Sequence, residues 1–335
     1  MLAVSSRART RFVTDPAERL SQMKTQTYAD PCRPSALAAE IARLAPSAHL
    51  VANDRMLVAQ ANAREIPLLL DEIGRLRERA FRGVGEGTGA ELDLDRFDAH
   101  YTHLFVWDRR RGALAGAYRL VRVDELAPDS LPRALYTHTL FDYDRGFLAR
   151  LGPALELGRA FVTPEYQRCS RVLALLWQGI GRALRVAGAR SLFGAVSVSA
   201  RYSRRSRGLI AAALLAHHRH RETEGLVRAR TPFTLDAGDF ASAMPLADPR
   251  VLSQRVAELE PDGSGLPVLV RRYLELGGEF AAWHVDGAFG DSLDGLMVLD
   301  LERADPVRVA RFSGDPAPRY SETISSAART SSVVS

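Results

Sequence analysis

Two charged side chains stand inside an otherwise apolar run, ELGRAFV at residues 156–162. Leu155, Leu157, Phe161 and Val162 give this run the composition of a core strand, yet Glu156 and Arg159 interrupt it. Burial in a strand raises the pKa of a carboxyl group, which suits a general base that takes up a proton near neutral pH. An arginine beside it can grip a carboxylate through two parallel hydrogen bonds. The other reading is a structural ion pair between the two. In a regular strand, residues an odd number apart point to opposite faces. Gly158, between them, is the expected position of a β-bulge, which would change that relation and leave a backbone N–H free.

Further candidates lie elsewhere in the chain. Arg119, in GALAGAYRLVRV (112–123), is a second group for gripping a carboxylate. The acidic stretch LDLDRFD (92–98) offers Asp95 and Asp98, with Asp93, to hold a cationic group or to pair with Arg119. Arg79 is placed to lock that loop, or else to form a surface salt bridge. Ser197 and Ser199 share one face of SLFGAVSVS (191–199), where they either line a channel or bond locally.

Three tempting signals carry less. HLFVWD (103–108) holds a histidine and an aspartate, but their spacing in a strand sends them to opposite faces. GVGEGTG (83–89) is glycine-rich, yet no strand leads into it and no helix opens after it, so it reads as a turn. AHHRHR (216–221) sits at a helix end, where cations suit the dipole, and no metal site is expected.

These residues need elements to hold them. The 335-residue chain is 46% hydrophobic and 25% charged, an ordinary globular composition with room for a sizeable core. Its two cysteines, Cys32 and Cys169, are too few for a disulfide framework or a cysteine-rich zinc site. Apolar runs such as GLIAAALLA (208–216) are too short to span a bilayer. The net charge of +5 comes almost wholly from arginine, Lys24 being the sole lysine. No basic run is interleaved with aromatics, so nucleic acid is not an expected partner. A mildly basic surface suits an acidic carrier protein or anionic lipid.

Periodicity predicts a helix over 63–81, a hairpin from 103–108 and 112–123, and a strand over 154–162. A helix over 171–188 capped by Gly188, a strand over 191–199 and a helix over 202–218 follow. The resulting fold class is α/β, a mixed central sheet flanked by helices, with parallel crossovers late in the chain. Residues 1–49 read as a partly disordered tail, 50–247 as the core, 248–312 as a C-terminal α/β extension packing on it, and 313–335 as a disordered tail.

ELGRAFVTPEYQR, LLWQGIGRAL, LFGAVSVSARYS and LPVLVRRYLELGG…DGLMVLDLER together resemble the hemolysin-like branch of the GNAT superfamily, which includes ornithine-lipid N-acyltransferases. RLRERAF…LDLDRFDAHYTHLFVWD…GALAGAYRL is similar in layout to acyl-homoserine-lactone synthases, another GNAT branch. The resemblance covers roughly residues 50 to 312. It implies a GNAT-like fold and transfer of a fatty acyl chain, in some members 3-hydroxylated, from acyl carrier protein to the amine of an amino acid such as ornithine. It implies direct aminolysis of the thioester and no tightly bound cofactor. On this reading Glu156 holds and deprotonates the amine, the Gly158 bulge receives the thioester oxygen, and Arg159 and Arg119 take the acceptor's carboxylate. Tyr202 would protonate the departing thiolate, and Ser197 and Ser199 would line the pantetheine channel. The family's glycine-bearing pyrophosphate loop is replaced here by QRCSRV (167–172), which favours acyl carrier protein over acyl coenzyme A, the other donor that would serve. A cytoplasmic enzyme follows, with peripheral contact at the inner face of the membrane. Acylation of a lysophospholipid or another amine is an alternative. A non-catalytic acyl- or lipid-binding remnant is the alternative of a different class.

Overall fold

The computed structural model describes residues 33–314, so most of the N-terminal tail and nearly all of the C-terminal tail lie outside the described residues. The strands are β1 (His49–Ala52), β2 (Met56–Asn62), β3 (Thr102–Asp108), β4 (Ala113–Arg122), β5 (Phe141–Tyr143), β6 (Ala154–Val162), β7 (Ser191–Val198), β8 (Val227–Ala229), β9 (Glu279–Asp286) and β10 (Ser292–Asp300). Eight form one sheet in the order β1-β2-β3-β4-β6-β7-β10-β9, and β5 pairs with β8 in a small second sheet. The GNAT-like mixed sheet expected from the sequence is therefore present.

The helices follow the predicted stripes. They are α1 (Arg33–Ala42), α2 (Pro67–Gly83), α3 (Arg145–Leu151), α4 (Ser170–Ala187), α5 (Arg204–His217), α6 (Ala237–Ala243), α7 (Pro249–Leu259), α8 (Val268–Glu275) and α9 (Pro306–Ser313). In α2, Leu69, Ile73, Leu76 and Ala80 recur at helical spacing and bury against Leu57, Phe105 and Ala117 of the sheet. In α4, Val172, Leu176, Ile180 and Leu184 form the stripe that covers the opposite face. Gly179 lets α4 approach closely, since a Cβ there would stand 2.7 Å from Val58 Cγ1. The helix ends at Gly188 in the left-handed conformation, φ 58°, as its sequence predicts.

The segment read as a C-terminal extension supplies strands to the same sheet. β10 runs antiparallel to β7 from Leu293↔Val198 to Asp300↔Ser191. β9 then pairs with β10 at the sheet's edge. Among the described residues, no helix is long and apolar enough to cross a membrane.

Candidate active site

The site is built on β6. Its neighbour β4 pairs Arg119 with Gly158 and Ala117 with Phe161, so two steps on β4 span three on β6. The extra residue is a bulge, and Arg159 takes it up with a positive φ of 51°. The left-handed conformation thus lies one residue beyond Gly158, where a side chain pays about 1–2 kcal/mol for it. The bulge undoes the strand's alternation. Glu156 and Arg159 both reach the Tyr136 region, Glu156 through the backbone N–H and Arg159 through the ring hydroxyl.

On its other edge β6 runs parallel to β7. The pairing covers only Ala154↔Ser191, Leu155↔Leu192 and Glu156↔Phe193. Beyond that point the two strands part. A small opening of about 20 Å³, the size of a water, lies between Gly158–Arg159 and Gly194–Val196, with Tyr273 of α8 in its wall. A second cavity, of about 280 Å³, is walled by Tyr136, His284, Asp286 and Phe289. Arg159 lines both openings.

Glu156 is 1% exposed. Its carboxylate accepts from the backbone N–H of Thr137 at 2.6 Å, from that of Tyr136 at 3.1 Å, and from the Tyr101 hydroxyl. Burial pushes its carboxyl above the ordinary range, while these donors pull it back. These three donors make Glu156 a clamp on the 136–137 turn, and it lines neither opening. Arg159 is not among those partners, which sets aside the alternative of a structural ion pair between the two.

Arg119 departs from expectation for the same reason. It is fully buried, and it grips Asp95 at 2.7 and 2.9 Å and Asp98 at 3.0 Å. It lines neither opening. Asp98 is bound by Arg77 as well, at 3.0 Å through each of two nitrogens, and these guanidinium partners hold its carboxyl below the usual range despite burial. Arg77, which also bonds Asp93 at 3.0 Å, is the residue that locks the acidic loop. Arg79 instead makes an exposed ion pair with Glu165. In helix α2 the inward-facing arginine is Arg77, and only the burial stripe distinguishes the two.

Arg159 is the cation with donors to spare. Its side chain is 10% exposed and sits between the rings of Tyr136 and Phe289, 4.8 and 4.7 Å from their centroids. Nη1 donates to the Tyr136 hydroxyl at 3.2 Å. Asp93 and Asp95 lie 3.4 and 3.7 Å away, and Nε has no hydrogen-bond partner among the described residues.

Ser197 and Ser199 line neither opening. They tie the glycine-rich turn to β7, Ser197 through Glu86 at 3.1 Å and Ser199 through the Val84 carbonyl at 2.6 Å. Tyr202 donates to the Gly265 carbonyl at 2.8 Å and packs beside the core under α8. It touches neither opening. Glu86 escaped notice in the sequence, where its turn carries no nucleotide-loop context. The available signal was a lone acid framed by Gly85 and Gly87, both with positive φ. Among the described residues, no group of three His, Cys, Asp or Glu side chains could hold a metal.

Residues 76–178, from within α2 to within α4, match the acetyltransferase (GNAT) domain family. The chain is 33% identical over 243 residues to the glycine N(alpha)-acyltransferase of Bacteroides thetaiotaomicron, which is 67% of this chain and 69% of that protein. It is 32% identical over 232 residues to the glycine N(alpha)-acyltransferase of Phocaeicola vulgatus, 64% of this chain and 69% of that protein. Among solved structures, the AHL synthase LasI aligns over 80% of this chain and 99% of its own, with a TM-score of 0.41 and 12% identity.

Proposed function

This chain belongs to the GNAT acyltransferases, and on that premise we propose that it is an N-acyltransferase acting on a small amino acid. The amine of the acceptor attacks the thioester carbonyl of a fatty acyl donor. The C–N bond forms, the C–S bond breaks, and the pantetheine thiol leaves. The observation that carries this reading is the under-used guanidinium of Arg159, which lines both openings. A planar fork with free donors is suited to a carboxylate. The cavity of about 280 Å³ lies near the lower end of small-molecule sites, about 300 Å³, which suits an amino acid better than a lipid headgroup.

The acceptor amino acid is glycine by the names of the relatives. Ornithine, expected for the hemolysin-like branch, is the second reading, and Asp286 on the cavity wall favours it by offering a partner for a second ammonium. The donor we assign is acyl carrier protein. The turn into α4 carries exposed Arg168 and Arg171, which suit an acidic protein partner, and no glycine that would admit a pyrophosphate. The fatty product supports work in the cytoplasm with peripheral contact at the inner membrane face.

The test is incubation with 3-hydroxyacyl and plain acyl carrier protein, and with the coenzyme A thioesters, against a panel of glycine, ornithine and simple amines. Mass spectrometry should find an acyl amide with an amino acid and none with the decarboxylated amine of the same side chain. Equal use of both would remove Arg159 and the amino-acid acceptor from the reading.

A further inference from the structure

We propose that Glu86, in the glycine-rich turn after α2, is the general base that deprotonates the acceptor amine; this rests on the N-acyltransferase reading. Glu86 is not itself in the wall of either opening; its hydrogen-bond partner and its own turn place it beside them. Ser197, its hydrogen-bond partner, stands on β7 past Phe193, where pairing with β6 has ended. Thr88, two residues on, lines the cavity. The turn is fixed rather than loose. Glu78 accepts from Thr88 N–H at 3.0 Å, from its hydroxyl at 2.8 Å and from Gly89 N–H at 2.9 Å. Gly290, next to Phe289 of the cavity wall, approaches the turn so closely that a Cβ there would stand 2.5 Å from the Gly85 carbonyl.

Glu86 contrasts with Glu156. It is 8% exposed and takes one hydrogen bond, from Ser197, leaving lone pairs for a substrate. Burial pushes its carboxyl up to about 7, against the pull of Ser197 and Arg159. The charged groups around it are Arg159 from β6, Asp294 from β10 with Asp286 behind it, Arg201 after β7 against Gly85, and Glu78 and Arg82 from α2. Arg159 is placed to hold the acceptor's carboxylate while Glu86 meets its amine.

The proton count closes. Glu86 takes one proton from the substrate ammonium and passes it to water. The freed lone pair bonds to the thioester carbon. As the C–S bond breaks, the proton shed by the new amide nitrogen goes to the departing sulfur.

The experiment is a pH–rate profile of the full chain with the donor and acceptor that give most product. For wild type, kcat/KM should rise through a limb near pH 7 and level off. Glu86→Gln should lower the rate about 10²-fold or more at pH 7.5. Its profile should climb steadily to pH 9, because only free amine then reacts. Ser197→Ala, which removes a bond that stabilises the charged form, should keep most activity and move the limb to higher pH. A wild-type rate in Glu86→Gln, or a limb unmoved in Ser197→Ala when circular dichroism shows both folded, overturns the proposal alone. No amide from wild type with any donor and amine overturns the N-acyltransferase reading, and this proposal with it.

Discussion

Arg119 and Asp95 are locked fork to fork, Nη1 to Oδ1 at 2.7 Å and Nη2 to Oδ2 at 2.9 Å. The same Asp95 lies 3.7 Å from Arg159. One carboxylate thus joins a fully buried arginine to the arginine at the cavity. Its grip on Arg119 leaves that residue a scaffold and leaves Arg159 the freer of the two.

Arg119→Ala should therefore act on stability. It leaves Asp98 to Arg77 alone and Asp95, about a quarter exposed, to Arg159 at 3.7 Å, at a cost of about 1–3 kcal/mol. Chemical denaturation reads this directly. A raised acceptor KM with an unchanged unfolding midpoint would show Arg119 to be a substrate ligand after all.

Arg159→Ala should raise the acceptor KM about 10-fold or more while leaving the donor KM in place, as expected for loss of a charged hydrogen bond. Arg159→Gly separates backbone from side chain. Glycine accepts the positive φ at no steric cost, so Arg159→Gly should be about 1 kcal/mol more stable than Arg159→Ala. Equal stabilities would place the left-handed residue elsewhere.

Glu156→Gln keeps the shape of the side chain but points an NH₂ group at a backbone N–H. A loss of about 1–3 kcal/mol in unfolding free energy is expected. The surviving folded enzyme should keep its pH limb where wild type has it. A lost limb in Glu156→Gln would return the base to that residue.

Tyr202→Phe gives up one hydrogen bond to a carbonyl, worth about 0.5–1.5 kcal/mol. Its turnover should match wild type across the pH range. A large fall in kcat with unchanged stability would restore its role as the acid for the thiolate.

Glu86 also makes stability depend on pH. Its carboxyl moves from 4.5 to about 7 on folding, so the folded chain holds that proton more tightly. Below the unfolded value both states are protonated and nothing is lost. As pH climbs from about 4.5 to 7, wild type should lose on the order of 3 kcal/mol relative to Glu86→Gln. Urea denaturation of both proteins at several pH values across that window checks the sign. A gap that stays flat would mean that Glu86 is as hydrated folded as unfolded.

Much of this was legible beforehand. Leu155, Leu157 and Phe161 marked β6, and the stripe of Val172, Leu176 and Ile180 marked α4, because burial imposes a period on the chain. A bulge near Gly158 was expected from that glycine between Glu156 and Arg159. What could not be read was the partner of each charge. Arg77 and Arg79 differ only in which side of α2 they occupy. Arg119 and Arg159 look alike until Asp95 and Asp98 are seen to occupy both terminal nitrogens of the first. Glu86 was hidden because a loop's direction is set by contacts far along the chain, here Ser197 and Gly290.

The brief seam between β6 and β7 has a mechanical meaning. Three residue pairs are all that stitch them together. On one flank stand β1 to β4 and on the other β10 and β9. The sheet is therefore two hydrogen-bonded ladders joined by a short seam. A wedge driven between Gly158 and Gly194 would spread the ladders about Leu155 and Leu192 and leave each intact. Arg159 rides on one side of the seam and Ser197 on the other, so on the proposed reading the width of the opening would set how far apart the acceptor's two ends are held.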